Sequence, residues 1–220
     1  MSHATSSYAE STEPTNLPGP PRPHRRPVRA RPPLIDLNRA EAAAADFMAA
    51  LGLPLKSTAM VDTPGRFTRA YLELLTPPEY EMTTFPNEEH YDELVVVHDI
   101  PIRSVCEHHL LPFVGVAHVG YVPGTRIVGL SKLARTVEFF ASRPQTQERL
   151  TSEIAAHLQE HLDPQGVGVV ISAEHTCMTL RGARAAGTQT YTSVTRGVLR
   201  EDPARRSEFL AVLPRPKATS

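Results

Sequence analysis

Two short segments carry most of the chemistry this chain could perform. One is Cys106-Glu107-His108-His109, followed by Leu110-Leu111-Pro112; the other is Glu174-His175-Thr176-Cys177. Cys106 and His109 stand three positions apart, so one turn can aim a thiolate and an imidazole at a common point. Such a pair suits zinc, at about 2.3 Å from sulfur and about 2.0 Å from nitrogen. The chain has only two cysteines, and the second, Cys177, completes a Cys106, His109, Cys177 set. Three protein ligands leave a fourth tetrahedral position for water, which a catalytic site needs and a closed structural site lacks. Zinc lowers the pKa of such a water from far above neutrality to about 7. His108 and His175 each flank a ligand, and imidazole titrates where proton transfer near neutral pH requires it. A CxxH pair alone is common, and a lone cysteine is more often an inert buried side chain. The pairing of both cysteines with histidine-bearing segments argues for a metal. A deaminase-type zinc site needs His-x-Glu and Cys-x-x-Cys, and neither is present.

Cations stand where helix dipoles disfavour them. Arg66 and Arg69 follow a helix start at Thr63-Pro64, and Lys132 and Arg135 follow one at Ser131. Each pair is three apart, on one face. A helix N-terminus carries partial positive charge. An anion docked at these ends, held by free N–H groups and side-chain cations together, accounts for both pairs. Arg181, just beyond Cys177, would tie that anion to the metal. Solvated charge is the simpler account of any single residue, but two such pairs suggest a polyphosphate-sized ligand. No glycine-rich loop of the P-loop or dinucleotide type occurs. Gln147 and Glu148 fall in the first turn of another helix, where an acidic residue is electrostatically comfortable. A buried Glu148 could also accept two N–H donors of the kind guanine presents at N1 and its exocyclic amine.

These residues need a scaffold, and the chain has room for one. Its 220 residues, 40% hydrophobic, suffice for one domain with a packed core. A formal net charge of -1 argues against general nucleic-acid binding. The Ser-, Pro- and Arg-rich start is not a secretory signal, and no apolar run approaches the ~20 residues that span a bilayer. A cytoplasmic protein with free thiols is expected. Residues 1–34 read as a disordered arm and 214–220 as a flexible tail.

Between them, Asn38 and Glu41 form a plausible capping pair for a helix reaching Leu51. Thr63 caps a helix to Leu75 that carries Phe67, Tyr71 and Leu74 on one face. Strands are expected over 93–100, 102–105 and 114–122, with a turn at Pro123-Gly124. Ser131 caps a helix ending before Arg143-Pro144, and a second helix runs over 145–162. Strands over 167–173 and 188–199 and a helix over 203–213 complete the order. The expectation is an α+β domain, an antiparallel sheet with helices on one face.

The segments VCEHHLLPFVGVAHVGYVP, GLSKLARTVEFFASRPQTQERLT and EHTCMTLRG, with TPGRFTRAY upstream, closely resemble the GTP cyclohydrolase I family from about Ile35 to Leu213. The resemblance implies zinc-dependent hydrolysis of GTP to formate and 7,8-dihydroneopterin triphosphate, the first step toward tetrahydrofolate or biopterin. It places zinc on Cys106, His109 and Cys177, with attack by water at C8 of the guanine, and makes His108 and His175 the catalytic proton carriers. It assigns the purine to Gln147 and Glu148. It assigns the triphosphate to Arg66, Ser131, Lys132, Arg135 and Arg181, with Arg69 where the family often has Lys. It further implies the tunnelling fold and a toroidal decamer with active sites shared between subunits. Two alternatives rank below it. Reduction of a deazapurine nitrile on the same fold wants a nucleophilic cysteine in place of a zinc thiolate. A zinc-stabilised nucleotide binder without turnover would not need His108 and His175.

Overall fold

The computed structural model describes residues 35–79 and 82–214. The arm over 1–34 and all of the tail but Pro214 lie outside them. The chain opens with α1 (Leu37–Ala50) and α2 (Thr63–Leu75), then β1 (Thr84–Pro86), β2 (Val95–Cys106), β3 (Pro112–Val122) and β4 (Arg126–Val128). It continues with α3 (Leu130–Ala141), β5 (Pro144–Gln145), α4 (Gln147–Leu162), β6 (Gly166–His175) and α5 (Thr176–Thr179). The elements β7 (Thr190–Gly197), α6 (Val198–Glu201) and α7 (Pro203–Ala211) close it.

The α+β class is as expected, with differences in the sheet. Its order is β5-β2-β3-β6-β7, with β1 and β4 forming a separate pair. The sheet is mixed rather than antiparallel, because β5 joins β2 in parallel through Val105↔Pro144 and Cys106↔Gln145. The two strands expected over 93–100 and 102–105 are one strand running through Pro101. Pro101 faces Val116 of β3, and β5 covers the other side of β2 only at Val105 and Cys106. A residue without an N–H therefore interrupts no ladder on that outer side. The irregularity sits just before it, where the register shifts between Val97 and Ile100 and Asp99 takes φ 57.

Strand alternation sends side chains to opposite faces, and both faces are covered. On one, Val119, Tyr121, Val167, Val169 and Ile171 pack with Leu133 and Val137 of α3 and with Leu150, Ile154 and Leu158 of α4. On the other, Val122, Val170 and Val96 meet Leu199 and Phe209. Helices on one face only is thus corrected, since α7 sits opposite α3 and α4. The sheet makes room for it with facing glycines, Gly120↔Gly168. A Cβ would lie 2.9 Å from the Phe209 ring at Gly120 and 2.5 Å at Gly168. Phe209→Ala should leave a void over this glycine floor and cost about 3–5 kcal/mol, read as a drop in the urea midpoint at constant m-value.

Three expected caps move. Helix α1 starts at Leu37, so Asn38 is already inside it, and Glu41 instead lies against Gly65 of α2. The N-cap of α2 is Asp62 rather than Thr63. That of α3 is Gly129 rather than Ser131, because the Gly129 N–H is bound to Thr83 O at 3.1 Å and β4 feeds directly into the helix. Thr146 caps α4, accepting from the Arg149 N–H, so this helix begins at Gln147. The last helix ends at Ala211.

Candidate active site

Strands β2 and β6 both run antiparallel to β3, so their C-terminal ends emerge at the same end of the sheet. Cys106 is the last residue of β2, His175 the last of β6, and Cys177 follows within α5. One sulfur from each cysteine and one ring nitrogen of His109 all lie within 4.8 Å of one another. The Cys106 Sγ to His109 Nδ1 distance is 3.8 Å, and His108 Nδ1 stands 3.9 Å from the same sulfur.

The turn that aims these groups is anchored on both sides. Cys106 O accepts from the Leu110 N–H at 2.8 Å, with Leu110 at φ 53, and the Cys106 N–H donates to Leu111 O at 2.9 Å. Tyr71 of α2 donates to Leu110 O at 2.6 Å, and Thr176 donates to Pro112 O at 2.6 Å. The first ties the loop to a helix far away in sequence, and the second ties the two cysteine-bearing segments together.

The donor set fits a thiophilic dication. Burial pushes the Cys177 thiol up, and the adjacent Cys106 pushes it further, with Arg181 opposing. A cation bound beside Cys177 would offset that push and favour its thiolate. Sulfur, sulfur and imidazole nitrogen are the donors that bind zinc-like ions best.

The start of α4 forms the facing wall. The β5 pairing sets Gln145 against Cys106, which brings Gln147 and Glu148 to a cleft of about 210 Å³ lined also by His108, His109, His175 and Cys177. The His175 ring stacks on Phe113, its register partner in β3, at 4.5 Å between centroids and 11° between planes. Its Nε2 is 2.8 Å from Gln147 Oε1. Burial holds His175 below the usual imidazole range, and the Glu148 carboxylate pulls the other way.

The cleft thus gathers all three candidate ligands, both candidate proton carriers, and Gln147 with Glu148. Arg66, Arg69, Ser131, Lys132, Arg135 and Arg181 do not line it. Arg66 is ion-paired with Asp62 at 3.0 Å, both largely exposed, a local account of one cation at a helix start. Arg181 acts electrostatically on Cys177.

Reading the residues in order misses what braces the cleft. Arg149 pairs with Glu107 and donates to Gln145 Oε1 and Pro144 O, each at 2.8 Å. This clips the CEHH turn to α4. The one available signal is that Glu107 is the only acidic residue in the turn. Phe113 and Thr190 join the site through long-range register, which spacing does not reveal.

Fold and site together define an α+β protein with a Cys-His-Cys centre fit for a metal and a pair of histidines beside it. The family described as GTP cyclohydrolase I matches residues 40–214. Curated proteins named GTP cyclohydrolase 1 are similar along most of the chain. That of Mycolicibacterium gilvum is 48% identical over 198 residues, covering 87% of this chain and 98% of its own. That of Mycolicibacterium vanbaalenii is 50% identical over 185 residues, covering 81% and 91%. That of Mycobacterium tuberculosis is 48% identical over 194 residues, covering 86% and 96%. The chain belongs to the GTP cyclohydrolase I family.

Proposed function

We propose that residues 35–213 form a catalytic domain that hydrolyses GTP to formate and 7,8-dihydroneopterin triphosphate, the first step of tetrahydrofolate or pterin biosynthesis. The observation that carries the reading is the convergence of Cys106, His109 and Cys177 within 4.8 Å in a cleft that also holds His108, His175 and Glu148. Zinc on these three ligands would supply a Lewis acid and a source of hydroxide near neutral pH.

The protein's own groups do the rest. His108, beside Cys106, and His175, held by Gln147 and Phe113, carry protons to and from the opening imidazole ring of the purine. Glu148 accepts N–H donors of the purine at the cleft wall. Arg66, Arg69, Ser131, Lys132, Arg135 and Arg181 take the triphosphate by charge-assisted hydrogen bonds.

A cleft of about 210 Å³ is below the ~300–1,000 Å³ of ordinary ligand pockets, and the cations stand outside it. Both facts are in keeping with a site completed by a neighbouring copy, as in the toroidal decamer of the tunnelling fold that the family resemblance implies. A cytoplasmic location goes with this activity. Among the described residues no helix is long and apolar enough to cross a membrane.

The test is direct. Purified protein should hold about one zinc per chain. With GTP it should release formate and yield a pterin fluorophore after oxidation. Metal-replete protein that produces neither overturns the reading.

A further inference from the structure

The CEHH turn and the start of α4 form two walls of the cleft, and the backbone seam between them is short. The parallel ladder of β5 on β2 has two register pairs, Val105↔Pro144 and Cys106↔Gln145. One further bond runs from the Glu107 N–H to Gln145 O at 3.1 Å. A side-chain pair prolongs the seam behind the cleft. Cys106, His108 and Glu148 line the cavity, whereas Glu107 and Arg149 do not. The Glu107 carboxylate instead meets the Arg149 guanidinium.

The same guanidinium donates through Nε to Gln145 Oε1 and through Nη2 to Pro144 O, each at 2.8 Å. Gln145 is fully buried, and its amide is held, because Nε2 donates to Phe140 O at 2.9 Å and to Glu153 Oε2 at 2.8 Å. Arg149 is therefore anchored on β5 by two bonds besides the one to Glu107. A planar fork with fixed donor directions, held at two points, sets where a third partner sits. That partner lies between Cys106 and His108 in the chain, and Arg149 itself follows Glu148. Each member of the pair is a sequence neighbour of the groups assigned to the chemistry.

Stability is a weak account of the pair. The Arg149 and Glu107 side chains are 42% and 32% exposed, and exposed ion pairs add little to folding. Spacing is the stronger one. A purine held at Glu148 has to meet the Cys-His-Cys cluster and His108 across the cleft, so the reacting distance is set by the distance between the walls. An error of about 1 Å in such a distance can cost about 100-fold in rate. We propose that Glu107 and Arg149 are positioning residues that fix the spacing between the metal-and-histidine turn and the purine-holding start of α4. The proposal rests on the reading of the cleft as a GTP-hydrolysing site. A pair that only stabilised the fold would move the melting temperature and leave kcat of the folded enzyme alone. A pair that sets spacing moves kcat, because the contacts to metal, purine and triphosphate all remain.

The experiment is a mutant cycle on the metal-loaded enzyme with GTP. Glu107→Ala should lower kcat by about 10- to 100-fold, with KM within about threefold. Its zinc per chain should be that of the wild type, and its melting temperature should lie within about 4 °C. Glu107→Gln keeps an acceptor for the guanidinium and should recover kcat to within about fivefold of wild type. In an Arg149→Met background, Glu107→Ala should change kcat by less than about twofold, because residues acting through one contact fail to add. The Glu107 variants decide the matter even where Arg149→Met does not fold. Wild-type kcat in Glu107→Ala, equal losses in Glu107→Ala and Glu107→Gln, multiplicative losses in the cycle, or zinc lost along with activity each overturn the proposal. Wild-type protein that releases no formate overturns the functional reading before any variant is made, and the proposal with it, so the two failures are distinguishable.

Discussion

Cys177→Ser protein should come off purification without its metal and without turnover. The substitution is nearly isosteric, at a half-buried position in α5. The surrounding bond from Thr176 to Pro112 O does not depend on the sulfur, so the fold should persist. What changes is the donor. A serine hydroxyl is hard and stays protonated where a thiolate would bind. Cys106 and His109 alone cannot hold a tetrahedral ion. Losing even a residue that only supports a ligand costs 10–100-fold in metal affinity, so losing a ligand should cost more than about 100-fold. Competition against a chromophoric chelator reads the affinity, elemental analysis reads the occupancy, and formate release reads the activity. Wild-type metal content in this variant would remove Cys177 from the site and leave the cleft without a third ligand.

The same residue shows how far the sequence reaches. With two cysteines in the chain, each within three positions of a histidine, residue types and spacing suggest the candidate ligands Cys106, His109 and Cys177, and the strands leading into both segments are read from β-rich runs. The helices show in their apolar spacing, since Leu133, Val137, Leu150, Ile154 and Leu158 are all fully buried. What spacing does not carry is pairing between distant segments. The parallel contact of β5 with β2 spans two residues on each strand, too short for any periodic signal, yet it brings the α4 start to Cys106. The Gly120↔Gly168 floor for Phe209 is visible only once the β3–β6 register is known. The caps miss by one or two residues because Asp62 and Gly129 compete with Thr63 and Ser131, and tertiary hydrogen bonds such as Gly129 to Thr83 O decide between them. Gln147 and Glu148 look alike as a helix start. The structure separates them, Gln147 buried and engaged on all sides, Glu148 exposed at the cleft.

His175→Ala is expected to give the opposite metal result from Cys177→Ser, two residues away. His175 is not among the three residues whose donor atoms converge, and its Nε2 is committed to Gln147. Removing the imidazole should therefore leave about one zinc per chain, with the cluster geometry set by the turn at Cys106 and by the Thr176 anchor. Turnover should fall by about 10²- to 10⁴-fold, the usual contribution of a positioned acid–base group. The loss should sit in kcat, because the ring touches no cation assigned to the triphosphate. The vacated space over Phe113 can take up water, whose proton affinity is unsuited to replacing an imidazole near pH 7. Metal per chain and single-turnover formate release on the same preparation separate the two roles. Zinc lost along with activity would make His175 part of the metal's support, whereas zinc and activity both retained would leave His108 as the sole proton carrier of the cleft.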